Sequence, residues 1–269
     1  MSIKQISTCA VKHVINMLGY DIYKFSKPVL NRDKYSINIG SGNWECPGWI
    51  NLDYPSEWYV AAQAQHKFIP YNIRNDKLPF DNDTVGEIYC SHVIEHIENK
   101  YIAALFNECH RVLARGGVFR IACPDAEFLY QVTKLGKKEY WSWLRSWFED
   151  IGINFEQIRA EDCLISEIAN PKFASKDYHI GISYQEEFDN LTMIEFLEFL
   201  TSDLKYDEEH VGDHINYWTY EKLKTYLSEV GFSTIIRSKY LGSTSYNMQN
   251  RKYFDRTHPE MTLYVEAIK

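Results

Sequence analysis

The chain has 269 residues, 45% of them hydrophobic, enough to bury a large core in one domain with an elaboration. Its formal net charge of -8 excludes the broad basic footprint of a nucleic-acid binder and favours small or glycan-like partners. No apolar run reaches the roughly 18 residues of a membrane span, and the amino-terminal stretch carries charge inside its apolar run, unlike a signal peptide; a cytoplasmic monomer or homodimer is expected.

In residues 1–34, Lys4, Lys12, Lys24, Lys27, Arg32 and Lys34 face only Asp21 and Asp33, while Ile3, Ile6, Val11, Val14 and Leu18 supply apolar positions. This predicts a helical extension packed on its own domain, with weak attachment to a membrane surface as the rival. The runs 35–39, 49–52, 85–90 and 118–123 are short, apolar and bounded by Gly, Pro or Asp, as parallel core strands are. Between the last two, Ile102, Leu105, Phe106, Cys109, Val112 and Leu113 fall at helical spacing, with Asn99 placed to cap the helix and "ARGG" to end it. Strand, helix and strand over roughly thirty residues make a βαβ unit, so the fold class is an α/β doubly wound sheet.

Residues 136–212 break this rhythm. They are rich in aromatics and acids, include a predicted helix over 191–204, and are expected to form an inserted helical lid. Trp141, Trp143 and Trp147 could stack on sugar rings, but packing or a subunit interface is the favoured role. Regular structure returns where Thr219 caps a helix carrying Tyr220, Leu223, Leu227 and Val230 that Gly231 ends, and two strands follow near 233–238 and 262–268. The six cysteines (Cys9, Cys46, Cys90, Cys109, Cys123, Cys163) show no paired C-x-x-C spacing and are expected to be reduced core thiols.

The strand at 35–39 runs into Gly40-Ser41-Gly42, where glycine lets backbone approach a ligand closely. A dinucleotide fingerprint would need a third glycine and an acid about 20 residues on; here Asn43, Trp44 and Glu45 follow, and Asp53 comes 13 residues after Gly40. A cofactor without phosphate fits better, with the Asp53 carboxylate accepting both hydroxyls of a ribose. An ordinary glycine turn beside a strand-end aspartate is the bland alternative.

"INIGSG", "GWINLD", "YNIRNDKLPFDNDTVGEIYCSHVIEHIE" (71–98) and "LFNECHRVLARGGVFRIACPD" (105–125), in this order, resemble the class I S-adenosylmethionine-dependent methyltransferases, and more narrowly the bacterial group linked to surface-polysaccharide biosynthesis. The resemblance is strong over 35–125 and extends to the closing "FDRTHPEMTLYVEAIK". It implies a mostly parallel, seven-stranded Rossmann-like sheet, a methyltransferase domain over 35–269, and S-adenosylmethionine as cofactor. Gly40, Ser41 and Gly42 would then approach the amino-acid end of the cofactor, Asp53 would hold the ribose and Asn72 the adenine ring, while Ser91 and His92 would face the methyl group. Asn38 and Asn72 stand where the family usually has acids.

Methyl transfer from a sulfonium mainly requires alignment, but a hydroxyl acceptor gains from a base, which nominates His92 first and His214 second; His179 and His210 are weaker candidates. The expected activity is O-methylation of a sugar or phosphorylated precursor, including a phosphoramidate, in surface-glycan or capsule synthesis. The alternatives are a small-metabolite methyltransferase, a non-catalytic partner protein of the same fold, and a zinc hydrolase using His92, Glu95 and His96 of the H-x-x-E-H pattern.

Overall fold

A computed structural model describes Met17, residues 33–174 and residues 184–269. The expected amino-terminal helix, Cys9 and His179 lie outside the described residues. Seven strands form one sheet: β1 (Tyr35–Ile39), β2 (Ile50–Asp53), β3 (Ile69–Pro70), β4 (Val85–Ser91), β5 (Leu113–Pro124), β6 (Thr234–Arg237) and β7 (Thr262–Ile268). Their order is β3-β2-β1-β4-β5-β7-β6, with β7 antiparallel to both of its neighbours and every other pairing parallel. This is the expected seven-stranded Rossmann-like sheet. From β1 the chain winds outward to β3, then returns to β4 on the other side of β1. A crevice therefore opens beyond the carboxyl ends of β1 and β4.

The central strands are apolar because both faces are covered: Ile37, Ile39, Leu52, Ile88, Phe119 and Ile121 are each fully buried. Helix α2 (Asn99–Val112), which follows the short α1 (Val60–Gln63), buries Ile102, Leu105, Phe106, Cys109 and Val112, the positions its spacing assigns to the core. Its ends differ from expectation. Asn99 is the first helical residue rather than the cap, and its side-chain oxygen accepts from Asn216 Nδ2 at 3.0 Å. The helix stops at Val112, before "ARGG", because Leu113 already pairs with Val85 in the sheet. The glycines instead absorb an irregularity inside β5, where pairing passes from Val85–Leu113 to Glu87–Val118 and Gly116 takes φ +76°. Strand β3 was not predicted; two exposed edge residues carry no periodicity to read.

Most described residues of 138–201 are helical, and 202–212 are turns and irregular chain. The described helices there are α4 (Arg145–Asp150), α5 (Ala160–Ile168), α6 (Asn170–Ala174), α7 (Gln185–Asn190) and α8 (Met193–Thr201), preceded by α3 (Ala126–Lys134). The helix predicted over 191–204 is shorter, because Thr192 caps it in a reciprocal pair with Glu195. These helices share their own core of Leu129, Trp141, Phe148, Leu164, Phe196 and Leu200, so Trp141 packs rather than faces a ligand. Helix α9 (Tyr220–Glu229) is capped by Thr219, whose side chain accepts from Lys222 N. Cys46, Cys90, Cys109, Cys123 and Cys163 are buried free thiols.

One charged cluster lies in the sheet itself. Arg120 of β5 is fully buried and donates to Asp255 through Nε (3.0 Å) and Nη2 (2.6 Å), to Glu266 of β7 (3.1 Å), to Ser238 Oγ (3.1 Å) and to the Lys239 carbonyl (2.9 Å). All five guanidinium protons are engaged, and the loop between β6 and β7 is fastened to the strands. Among the described residues, no helix is long and apolar enough to cross a membrane.

Candidate active site

The crevice beyond β1, β2 and β4 holds a cleft of about 860 Å³, counted with its open mouth, which suits a small-molecule ligand. Gly40, Gly42, Asp53, Asn72 and His92 line it. Ser41 and Ser91 do not; they face a neighbouring hollow together with Asn38, and Gly40, Gly42 and His92 border both spaces. Gly40 and Gly42 adopt φ +69° and +50°, the left-handed region that glycine enters without strain. A Cβ at Gly40 would also stand 2.2 Å from Val93 Cγ2. Gly40→Ala should therefore destabilise the fold by more than about 1 kcal/mol in urea unfolding, and a neutral substitution would contradict this account of the loop.

Asp53 ties the loop to the second strand. Its Oδ2 accepts from Gly42 N (2.6 Å) and Ser41 Oγ (3.4 Å), and its Oδ1 from Tyr54 N (2.8 Å). Burial raises its pKa, against the lowering effect of these hydrogen bonds and of Gln63. Oδ1 keeps a lone pair for a further donor, and Oδ2 can take a second hydroxyl by releasing the long contact from Ser41 Oγ. Asn72 spends its side-chain oxygen partly on the Arg74 backbone N–H, at 2.9 Å.

The cleft residues missed by sequence reasoning include Tyr71, Arg74 and Tyr206. Tyr71 is buried, and its hydroxyl has no hydrogen-bond partner among the described residues. Arg74 donates to Glu98 (3.0 Å) and to the His96 carbonyl (3.1 Å) and lies 3.5 Å from the centre of the Tyr206 ring. Tyr206 brings the helical insertion to the cleft wall. The only sequence signal for these was their presence in 71–98 and 136–212, stretches already marked for other reasons.

His92 occupies a strained position: its φ is +53°, unusual for a residue with a side chain, while its N–H donates to the Ala122 carbonyl at 2.8 Å. Its Nε2 is 3.0 Å from Thr262 Oγ1. Because the Thr262 hydroxyl donates to the His258 carbonyl (2.6 Å), it accepts from His92, so Nε2 carries the proton in this bond. Nδ1 stands 3.2 Å from Oε1 of Glu95.

Beyond Val93 the chain makes one tight turn, Ile94–His96, and then extends at Ile97. The zinc-peptidase reading is corrected by this: it needs His92 and His96 on one helix face, whereas His92 sits in a left-handed kink and turns to Thr262. His214 does not line the cleft. Its ring packs edge-on behind His96, 4.8 Å between ring centres, and its Nδ1 meets the Glu167 carbonyl at 2.5 Å. Burial, with His96 adding, pushes His214 down to about 4. Burial alone would raise the Glu95 carboxyl, but the contact with His92 and the nearby imidazoles outweigh it and hold the group at about 2. His210 is exposed and pairs with Asp207 at 2.9 Å, away from these groups.

Residues 50–121, from β2 into β5, match the pattern of the family described as a methyltransferase domain. No curated protein matches the chain. The chain is similar to a solved S-adenosylmethionine-dependent methyltransferase from Mesorhizobium loti (15% identity, 89% of this chain and 94% of that one, TM-score 0.43). It is also similar to one from Archaeoglobus fulgidus (11% identity, 97% and 93%, TM-score 0.41). A third likeness is to the methyltransferase SibL in its apo form (9% identity, 88% and 51%, TM-score 0.40), about half of whose length the chain spans. The domain match supports a methyltransferase and implies S-adenosylmethionine as its cofactor.

Proposed function

We propose that the chain transfers a methyl group from S-adenosylmethionine to an oxygen of a sugar or phosphorylated precursor of a surface glycan. The observation that carries the methyl-transfer part is the cleft at the sheet's switch point, with the Asp53-clamped glycine loop and the strained His92 both in its wall. The residues present fit the cofactor. Gly42 leaves open the space that a Cβ would take, Asp53 retains acceptor capacity, and Tyr71 offers a buried hydroxyl without a hydrogen-bond partner among the described residues. Asp53 would hold the ribose hydroxyls and Asn72 the adenine edge, with Gly40 and Gly42 against the amino-acid end.

When bound, the cofactor supplies both the methyl group and a good leaving group, so the chain's task is alignment of the acceptor and removal of its proton. His92 stands at the cleft wall with His96; with its ring proton shifted to Nδ1 beside Glu95, its Nε2 can exchange Thr262 for an acceptor oxygen and take that oxygen's proton. The assignment of a hydroxyl acceptor rests on these imidazoles, and the glycan context on the sequence resemblance and the acidic net charge.

Methyl-labelled cofactor incubated with sugar nucleotides, sugar phosphates and phosphoramidates tests this reading. Label should appear on oxygen, and His92→Asn, which tolerates the left-handed backbone, should slow transfer by about 100-fold while S-adenosylhomocysteine affinity stays within about threefold. An equal fall in affinity would make His92 a binding residue, and label on nitrogen or carbon acceptors alone would refute the oxygen assignment.

A further inference from the structure

Behind the cleft wall, one donor atom each of Glu95, His96 and His214 lies within 4.8 Å of the others. Two imidazoles here have fixed tautomers. His96 Nδ1 lies 2.9 Å from the Asp213 carbonyl and His214 Nδ1 2.5 Å from that of Glu167; a carbonyl only accepts, so both protons sit on Nδ1 and both Nε2 atoms keep lone pairs. Glu95 is 1% exposed, and neither carboxylate oxygen has a hydrogen-bond partner among the described residues. His92 Nδ1, 3.2 Å from Oε1, falls short of hydrogen-bond geometry. Three lone-pair groups thus gather, one a buried carboxylate and two of them half-buried imidazoles, an arrangement that is costly for the carboxylate unless a cation sits among them.

We propose that Glu95, His96 and His214 bind a divalent transition-metal ion. Two imidazole nitrogens and a carboxylate oxygen are a donor set suited to zinc and its neighbours, and the Nδ1–H to carbonyl bonds orient both rings as bonds behind metal-binding histidines commonly do. Around a tetrahedral ion the donors would draw in to about 3.4 Å from one another, a movement of rings and carboxylate rather than of backbone. Because His96 also lines the cleft, the ion would sit against the wall that carries His92 and place a Lewis acid beside any bound acceptor. This site replaces His92 of the H-x-x-E-H pattern with a histidine from the far end of the insertion. It does not depend on methyl transfer.

The test uses the full chain, stripped with a chelator, dialysed and titrated with cobalt(II), then back-titrated with zinc(II). One equivalent of cobalt should bind with visible absorption of a nitrogen- and oxygen-ligated ion, and one equivalent of zinc should abolish it. Glu95→Gln and His214→Ala should each weaken cobalt binding at least about tenfold. S-adenosylhomocysteine affinity and a cooperative melt, measured on the same variants, report whether the fold is intact; His96→Gln replaces either variant that fails to fold. No stoichiometric cobalt in the parent chain would overturn the proposal and leave a proton between the imidazoles as the buried cation. Binding unchanged in folded variants would overturn it by placing the ion elsewhere.

Discussion

Arg120→Met should cost the fold about 3 to 5 kcal/mol, seen as a lower midpoint in urea unfolding. The arginine is fully buried between β4 and β7, and its removal leaves two buried carboxylates, Asp255 and Glu266, facing each other without a counter-charge. It also takes the Arg120 donor from Ser238 Oγ and from the Lys239 carbonyl. Arg120→Lys should recover only part of the loss, because an ammonium cannot make the paired contact to Asp255 and still reach Glu266 and Lys239. A loss below about 1 kcal/mol for the methionine variant would mean that the carboxylates find water or protons at little cost. The loop that Arg120 fastens also carries Tyr253, Arg256 and Thr257 into the hollow beside the cleft, so the substitution should loosen that wall as well.

Asp53→Ala should lower affinity for S-adenosylhomocysteine by about 2 to 4 kcal/mol, roughly 30- to 1000-fold. Two effects act in one direction. The ribose loses its charged acceptor, and the glycine loop loses the carboxylate that receives Gly42 N and Ser41 Oγ. Asp53→Asn separates them: its amide oxygen can still accept from Gly42 N, so it should restore the loop and recover part of the affinity, the remainder being the contribution of charge. Calorimetry on both variants, with unfolding curves to show that each remains folded, provides the comparison. Full affinity in Asp53→Ala would refute the pose, whatever the acceptor proves to be.

Much of this architecture is legible in local sequence. Ile37, Ile39 and Leu52 announce buried strands, and the spacing of Ile102 to Val112 announces the helix over them, because burial on two faces or one leaves a period in the chain. The glycine loop and Asp53 are legible for a related reason: close backbone approach and a strand-end acid are requirements on single residues. What was not legible depends on long-range partners. Asn99 looks like a cap until Asn216 claims its side chain, and "ARGG" looks like a helix stop until Leu113 pairs with Val85. The five bonds of Arg120 come from three separate segments. His214 was singled out for its position near the return to the sheet, yet its neighbour His96 and its anchor at Glu167 are set by how the insertion folds back.

Calorimetric titration of the purified wild-type chain with S-adenosylhomocysteine tests the central claim most directly. One-to-one binding in the micromolar range, largely abolished by Asp53→Ala, is the expected result. No measurable binding to the folded chain would contradict it and return the cleft to a non-catalytic role.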